Sequence, residues 1–380
     1  MKNIYRYKNS DKSENRHRKG AVLLCVAAFV FFGFILQPVN RIINAATINV
    51  PADLITIQAA VDSAIAGDTV KVAAGFYNES VVMKAGVDIE GAGAVFTTIT
   101  TNTESFTVTG ADDSIISGFL ITNIVSRGSG ILCDDTSPTI TNCRISDCGF
   151  GILCKNGGSP IIKGNIIDNN SDNGINLTNT TGSVTILNNV IFGHNDSGIK
   201  TINSSASTIK NNIIYNNNDT AIDIDDETHE IINNTIHKNW DGLLISGATT
   251  SITNNIIASN SNWGILNSSG SHALSFNDVF GNGTDYQNID PGFADISEDP
   301  LFVDVSNADF HLKSDSPAID AGSTVILDLD GSRSDMGAFG GPGATETSSV
   351  GGPVVSDVVV SPNPVEQGET ITIRASASAQ

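Results

Sequence analysis

Positive charge is scarce in this chain of 380 residues. Only 20 Lys and Arg stand against 41 Asp and Glu, a formal net charge of −21. Residues 1–46 hold eight of the basic and two of the acidic residues, so the remainder carries 12 against 39, near −27. Such a field opposes nucleic acid and anionic lipid, and it suits a cation-rich setting in which Ca²⁺ is the natural counter-ion. Histidine is equally sparse, at 6. His194, His229 and His237 fall in turn-like stretches without ligating spacing and read as solvated. After Cys25 the only cysteines are Cys133, Cys143, Cys148 and Cys154. With no His or second Cys pair at ligand spacing, the cysteines are not expected to form a zinc site. Helical periodicity is missing from the whole middle of the chain.

What fills the middle is repetition. Gly130, Gly151, Gly174, Gly198, Ala221, Gly242 and Gly264 recur at spacings of 21–24 residues, each followed by Ile or Leu. A second series runs in phase: Cys143, Asn165, Asn189, Asn212, Asn234, Asn255 and Asn277. Two series sharing one elastic period define a solenoid. Segments such as Thr185–Ile191 and Ser251–Ile257 are short, β-branched and bounded by Asn, Asp, Ser and Gly, so they read as strands with sharp turns. Asn, Asp and Gly suit the corners because they tolerate left-handed backbone angles. One repeat is therefore one turn of a parallel β-helix, and coils stack at about 4.8 Å. Each Ile lies over the next coil's Ile. The Asn series is expected to be buried, each amide bonding backbone and the next Asn. Cys133 and Cys154 stack at strand spacing, which leaves buried thiols and a disulfide both open.

The ends differ. A basic leader and an unbroken apolar run from Ala21 to Leu36 make residues 1–46 a signal peptide or N-terminal anchor. Residues 47–110 form a cap and the first coils. Ile57, Ala60, Val61, Ala64 and Ile65 share a helical face, suited to covering the open end of a solenoid. Residues 343–353 are a linker. Residues 354–380 resemble the opening strands of an Ig-like sandwich, and the chain stops at Gln380, which points to a truncated domain.

Two sets of motifs resemble a known family. One is Ile57-Gln58-Ala59-Ala60, then Gly67-Asp68-Thr69-Val70 and Gly75-x-Tyr77-x-Glu79. The other is Asp299-Pro300-Leu301-Phe302, Ser316-Pro317-Ala318-Ile319-Asp320-Ala321-Gly322, Asp328-x-Asp330-Gly331 and Asp335-Met336-Gly337-Ala338-Phe339. Both are similar to secreted bacterial right-handed parallel β-helix proteins of the pectate-lyase-like superfamily. Gly340 stands where that family commonly has an acidic residue. The resemblance spans about residues 47–342 and implies an all-β fold: a right-handed parallel β-helix over 111–342 with a closing module, a short N-terminal capping helix, and an incomplete Ig-like domain behind it. It implies no single activity, since the superfamily holds lyases, hydrolases, epimerases and silent binders.

Candidate chemistry sits on the outer face. Asp172, Asp196 and Asp219 occupy one column in three consecutive coils. If Ile222 and Ile224 point inward, Asp223 and Asp225 point out together. Lys200 matches Asp223 one coil earlier, and Lys155 lies in the Asp225 column. Acidic residues beside a lysine resemble pectate-lyase-type sites, where Ca²⁺ bridges carboxylates to a uronate and a base takes the α proton. That resemblance assigns metal binding to Asp196, Asp219 and Asp223, and catalysis to Lys200 with Asp225. The competing reading is plain turn chemistry, because Asp is a good corner residue. Lys155, Trp240 and Trp263 are candidate sugar contacts, the tryptophans as stacking platforms. Asp328-x-Asp330-Gly331 is a fragment of a Ca²⁺ loop. No Asn-Thr-Asp or Gly-His-Gly hydrolase signature is present. The sequence thus leads to an exported, monomeric protein, at the cell surface or secreted, that binds or modifies polysaccharide, as a Ca²⁺-assisted lyase or a hydrolase if it is an enzyme. A rigid stalk or adhesin is the alternative.

Overall fold

A computed structural model describes residues 45–345, apart from 126–127, 226 and 248, together with the backbone of two further strands. Three parallel sheets of 11, 10 and 10 strands run the length of one solenoid. The first sheet goes from Thr47–Val50 to Ala273–Ser275, the second from Val81–Val82 to Thr284–Gln287, and the third from Gly75–Asn78 to Asp278–Phe280. Every third strand pairs in register with its equivalent in the next coil. Ile131, Ile152, Ile175, Ile199, Ile222, Leu243 and Ile265 are Cα partners in turn. These side chains and their counterparts on the other sheets, such as Ile186 and Ile191, are fully buried. The interior is therefore a set of aliphatic columns, as a β-branched period-2 pattern requires.

The two ingredients of the repeat have separate causes. The left-handed corners are filled by Asn142, Asn188, Asn211, Asn233 and Asn254, all at positive φ. The anchor glycines serve close approach instead. A Cβ on Gly151 would stand 2.5 Å from the Gly174 carbonyl oxygen, and one on Gly242 would stand 2.3 Å from that of Gly264.

Each turn asparagine of the predicted series is buried and bonded as expected. Asn212 Oδ1 accepts from Asn189 N at 2.9 Å and Asn189 Nδ2 at 3.0 Å, while Asn212 Nδ2 donates to Ile186 O and to Asn234 Oδ1, both at 3.0 Å. A second ladder stands at the next corner: Cys148, Asn170, His194, Asn217, Asn239, Asn260 and Asn282. Its spacings equal those of the first, but Cys148 and His194 interrupt the run of asparagines and hid it. Both ladders end in a carboxylate. Asn277 N and Nδ2 donate to Asp295 Oδ1 at 2.8 and 3.0 Å; Asn282 N and Nδ2 donate to Asp285 Oδ1 at 3.0 and 2.9 Å.

The reading of the histidines as solvated is corrected here. His194 and His229 are wholly buried and His237 nearly so. His194 accepts the Asn170 amide at Nδ1, 3.2 Å, in place of an asparagine oxygen. Burial pushes it down to about 4. His237 lies edge-on to Phe302 and Phe310 under the closing module.

All four described cysteines are buried free thiols. Cys133 and Cys154 are register partners, and Cys143 and Cys148 hold ladder positions. Burial pushes Cys143 and Cys148 up to about 12.

The motif residues at both ends are structural. Helix α1, Ile57–Ser63, buries Ile57, Ala60 and Val61. Glu79 reaches back to cap it, accepting from Ile57 N and Gln58 N at 2.9 Å each. The helix is shorter than the apolar spacing predicts, and Ile65 is exposed. At the other end residues 300–345 fold over the third sheet's outer face, where Phe302, Phe310, Ala318, Met336 and Ala338 pack against Val190, Ile213, Tyr215 and Ile256. The left-handed corner asparagines hold this segment: Asn211 Nδ2 donates to Ala338 O and Gly340 O at 2.9 and 2.7 Å, and Asn233 Nδ2 to Asp335 O at 2.9 Å. Asp328 and Asp330 accept the amides of Asp335, Gly341 and Ser332, so that loop is turn chemistry. Strands Val354–Ser361 and Thr372–Ser378 pair antiparallel, consistent with an added β module. The leader at 1–44 and most of the linker, 346–353, lie outside the described residues. Among the described residues no helix is long and apolar enough to cross a membrane.

Candidate functional site

The second sheet's outer face carries the candidate residues as charged columns. Its register places Asn176, Lys200, Asp223 and Leu244 in one column, and Asp134, Lys155, Thr178, Ile202, Asp225 and Ser246 in the next. At the corner leading into this sheet stand Asp172, Asp196 and Asp219. The residue that follows in the same column is Trp240, whose amide donates to Asp219 O at 3.2 Å. These aspartates make turn contacts and also lie close enough to repel one another. Asp172 and Asp196 each accept the next residue's amide at 2.9 Å, which is turn chemistry. They also feel one another. Burial, then the charge of Asp196, raises Asp172. Burial, then a shared hydrogen bond and charge from Asp196, raises Asp219.

Lys200 is the cation among them. Its Nζ lies 2.8 Å from Asp223 Oδ2. Burial works against its charge, but the Asp223 hydrogen bond and the charges of Asp223, Asp196 and Asp219 outweigh that and hold the ammonium above its usual value. In this arrangement Lys200 is protonated and paired rather than free to take a proton. Among the described residues no three carboxylate, imidazole or thiol groups already converge at metal-ligating geometry. Asp196, Asp219 and Asp223 are gathered around Lys200 instead.

The remaining candidates are scattered. Asp225 Oδ1 accepts from Ser246 at 3.0 Å. Lys155 pairs with Asp134 at 3.1 Å. It stands three coils from Asp225, about 14 Å by strand spacing. Trp240 is 54% exposed and borders a shallow depression of 260 Å³ with Asn216, Asn218, Lys238 and Ser261. Trp263 is half-buried one coil further on. Two polar groups were missed from sequence. Asp241 is buried on this face, accepts Trp263 N at 3.1 Å, and is raised by burial and by Asp223. Asn173 is buried beside Asp172, and its Nδ2 has no partner among the described residues. Only their position just before the anchor could have marked them.

A solenoid of three parallel sheets defines the class. The family model for the right-handed β-helix region matches residues 84–229 and 180–297, and the chain belongs to that family. No curated protein matches the chain. An alginate lyase from Paenibacillus sp. str. FPU-7 is 17% identical, with a TM-score of 0.50 over 67% of this chain and 98% of that one. Pectate lyase Pel9A is 16% identical, TM-score 0.49, over 78% and 96%. The A-module of an Azotobacter vinelandii mannuronan C-5 epimerase is 15% identical, TM-score 0.40, over 64% and 94%. At these identities the likeness is one of fold.

Proposed function

We propose that the chain binds polysaccharide along the outer face of the second sheet. The observation that carries this is the in-register stripe of Asp172, Asp196 and Asp219 continued by the exposed Trp240, with the Lys200–Asp223 pair beside it. Carboxylates accept sugar hydroxyls, the indole offers a stacking face, and rungs about 4.8 Å apart suit an extended chain. The fold likeness to an alginate lyase supports this reading. Binding fits better than cleavage, because Lys200 is held as a cation and serves to meet an anionic or hydroxyl oxygen. A Ca²⁺-assisted lyase would require Ca²⁺ to enter between Asp196, Asp219 and Asp223 and free Lys200 from Asp223. Export to the cell surface fits this role and rests on residues 1–46. The shallow, open depression favours a second reading, a rigid stalk.

Affinity electrophoresis against alginate, pectate and a neutral glucan, with and without Ca²⁺, tests the proposal. Trp240→Ala is expected to weaken retention about tenfold, the loss of one stacking contact. Release of unsaturated uronate that needs Ca²⁺ and disappears in Lys200→Ala would make the chain a lyase. Retention by none of the three polymers would leave the stalk.

A further inference from the structure

The last coil holds a carboxylate in an apolar place. Asp278 opens the last strand of the third sheet, in the outward column that Ile213, Thr235 and Ile256 occupy in the coils before it. It is fully buried. The segment after the solenoid lies over it: Ile296 bridges to Asp278, and Glu298 N donates to its Oδ1 at 3.2 Å. Its Oδ2 has no hydrogen-bond partner among the described residues. The charged groups acting on it are Glu298, Asp299 and Asp285, all acidic. Asp285 spends one oxygen on Asn282 and the other on Ser297. Glu298 and Asp299 are exposed. Asp299 Oδ1 accepts Leu301 N at 3.0 Å, which leaves its Oδ2, and the Glu298 carboxylate has no ion pair or hydrogen bond among the described residues.

Burying a carboxylate among like charges is costly unless something neutralises it. Protonation removes the charge but turns Oδ2 into a donor with nothing to donate to. A cation removes the charge and gives the oxygen a partner. We propose that Asp278, Glu298 and Asp299 hold a hydrated Ca²⁺ that fastens the segment around Ile296 to the last coil. Asp278 Oδ2 is the fixed ligand. The exposed Glu298 and Asp299 side chains must turn inward to join it, since the three groups do not already converge. Water completes the shell, and an all-oxygen donor set suits Ca²⁺ rather than zinc. The site lies on a different sheet from the Asp172–Asp219 column, and its role is to hold the end of the solenoid closed.

The test uses the full chain, stripped with chelator, at pH 8. Millimolar Ca²⁺ is expected to raise Tm by several degrees and to slow amide exchange at Ile296 and Glu298. Both effects should vanish in Asp278→Asn and in the surface variant Glu298→Gln, and persist in Asp219→Asn. A Ca²⁺ shift that survives both variants but is lost in Asp219→Asn would overturn the proposal and place the cation on the polysaccharide face. No Ca²⁺ effect, with Asp278→Asn more stable than the parent, would overturn it in favour of a buried neutral acid.

Discussion

Replacing Asn212 by Leu tests the ladder that holds the coils together. Asn212 is fully buried and accepts two donors from Asn189, at 2.9 and 3.0 Å. Leu supplies no acceptor, so both donors stay buried and unmatched. Each costs about 1–3 kcal/mol. The added apolar burial returns about 2 kcal/mol. The net loss is then about 0–4 kcal/mol, moved toward the upper end because Ile186 O and Asn234 Oδ1 also lose a donor. Coils in a solenoid touch only their neighbours, so the damage should be local. Denaturant titration gives the total, and amide exchange locates it: protection should fall first at Asn189 and in the strand Ile213–Tyr215, and little at Ile131. Unchanged stability would mean that the ladder hydrogen bonds contribute nothing net, and the reasoning would fail.

Two further outcomes follow from the same geometry. His194 has a folded-state pKa of about 4 against 6.5. Its contribution is therefore complete above pH 6.5 and is lost as pH falls toward 4, by about 3 kcal/mol in full. His194→Asn restores the usual ladder residue and should flatten the stability-versus-pH curve across that window; an equally steep acid limb would refute the ladder role. Gly242→Ala brings a Cβ within 2.3 Å of the Gly264 carbonyl oxygen and should cost about 1–3 kcal/mol, whereas Ala221→Gly, at the position that already tolerates a methyl, should cost less than about 1 kcal/mol in thermal melts.

The fold was legible because a stacked coil repeats one physical problem. Inward Ile, corner Asn and the close-approach Gly answer it the same way each time, and the spacing exposes all three. The second ladder escaped notice because it is defined by acceptor geometry rather than by residue type: the ring nitrogen of His194 accepts like an amide oxygen, and the position of Cys148 needs only its backbone amide. Its terminators escaped too. Asp285 and Asp295 stand 3 and 18 residues after the asparagines they serve, outside the period. The outer face was legible as register: the pairing of Lys200 with Asp223 in adjacent coils follows from alternation alone. Its energetics were not. That Lys200 would bind Asp223 tightly enough to stay protonated, or that Asp278 would be covered by a later segment, depends on burial that no local pattern records.

The ladders have a direction. Apart from the rung at His194, every ladder asparagine takes hydrogens from the coil before and passes hydrogens to the coil after, so these interior rungs share one input and one output. As far as the ladders are concerned, a coil can then be gained or lost between Asn217 and Asn260 without leaving a ladder group unmatched at the join. The final rung differs, because Asp295 and Asp285 receive and pass nothing on. Changes of length in relatives should accordingly arise by insertion within the row, behind two fixed stops. Extension past the last coil would require both carboxylates to become amides at once, since converting one alone leaves the new coil joined along a single corner. In that sense the number of coils is open to revision while the place where the solenoid ends is chemically written.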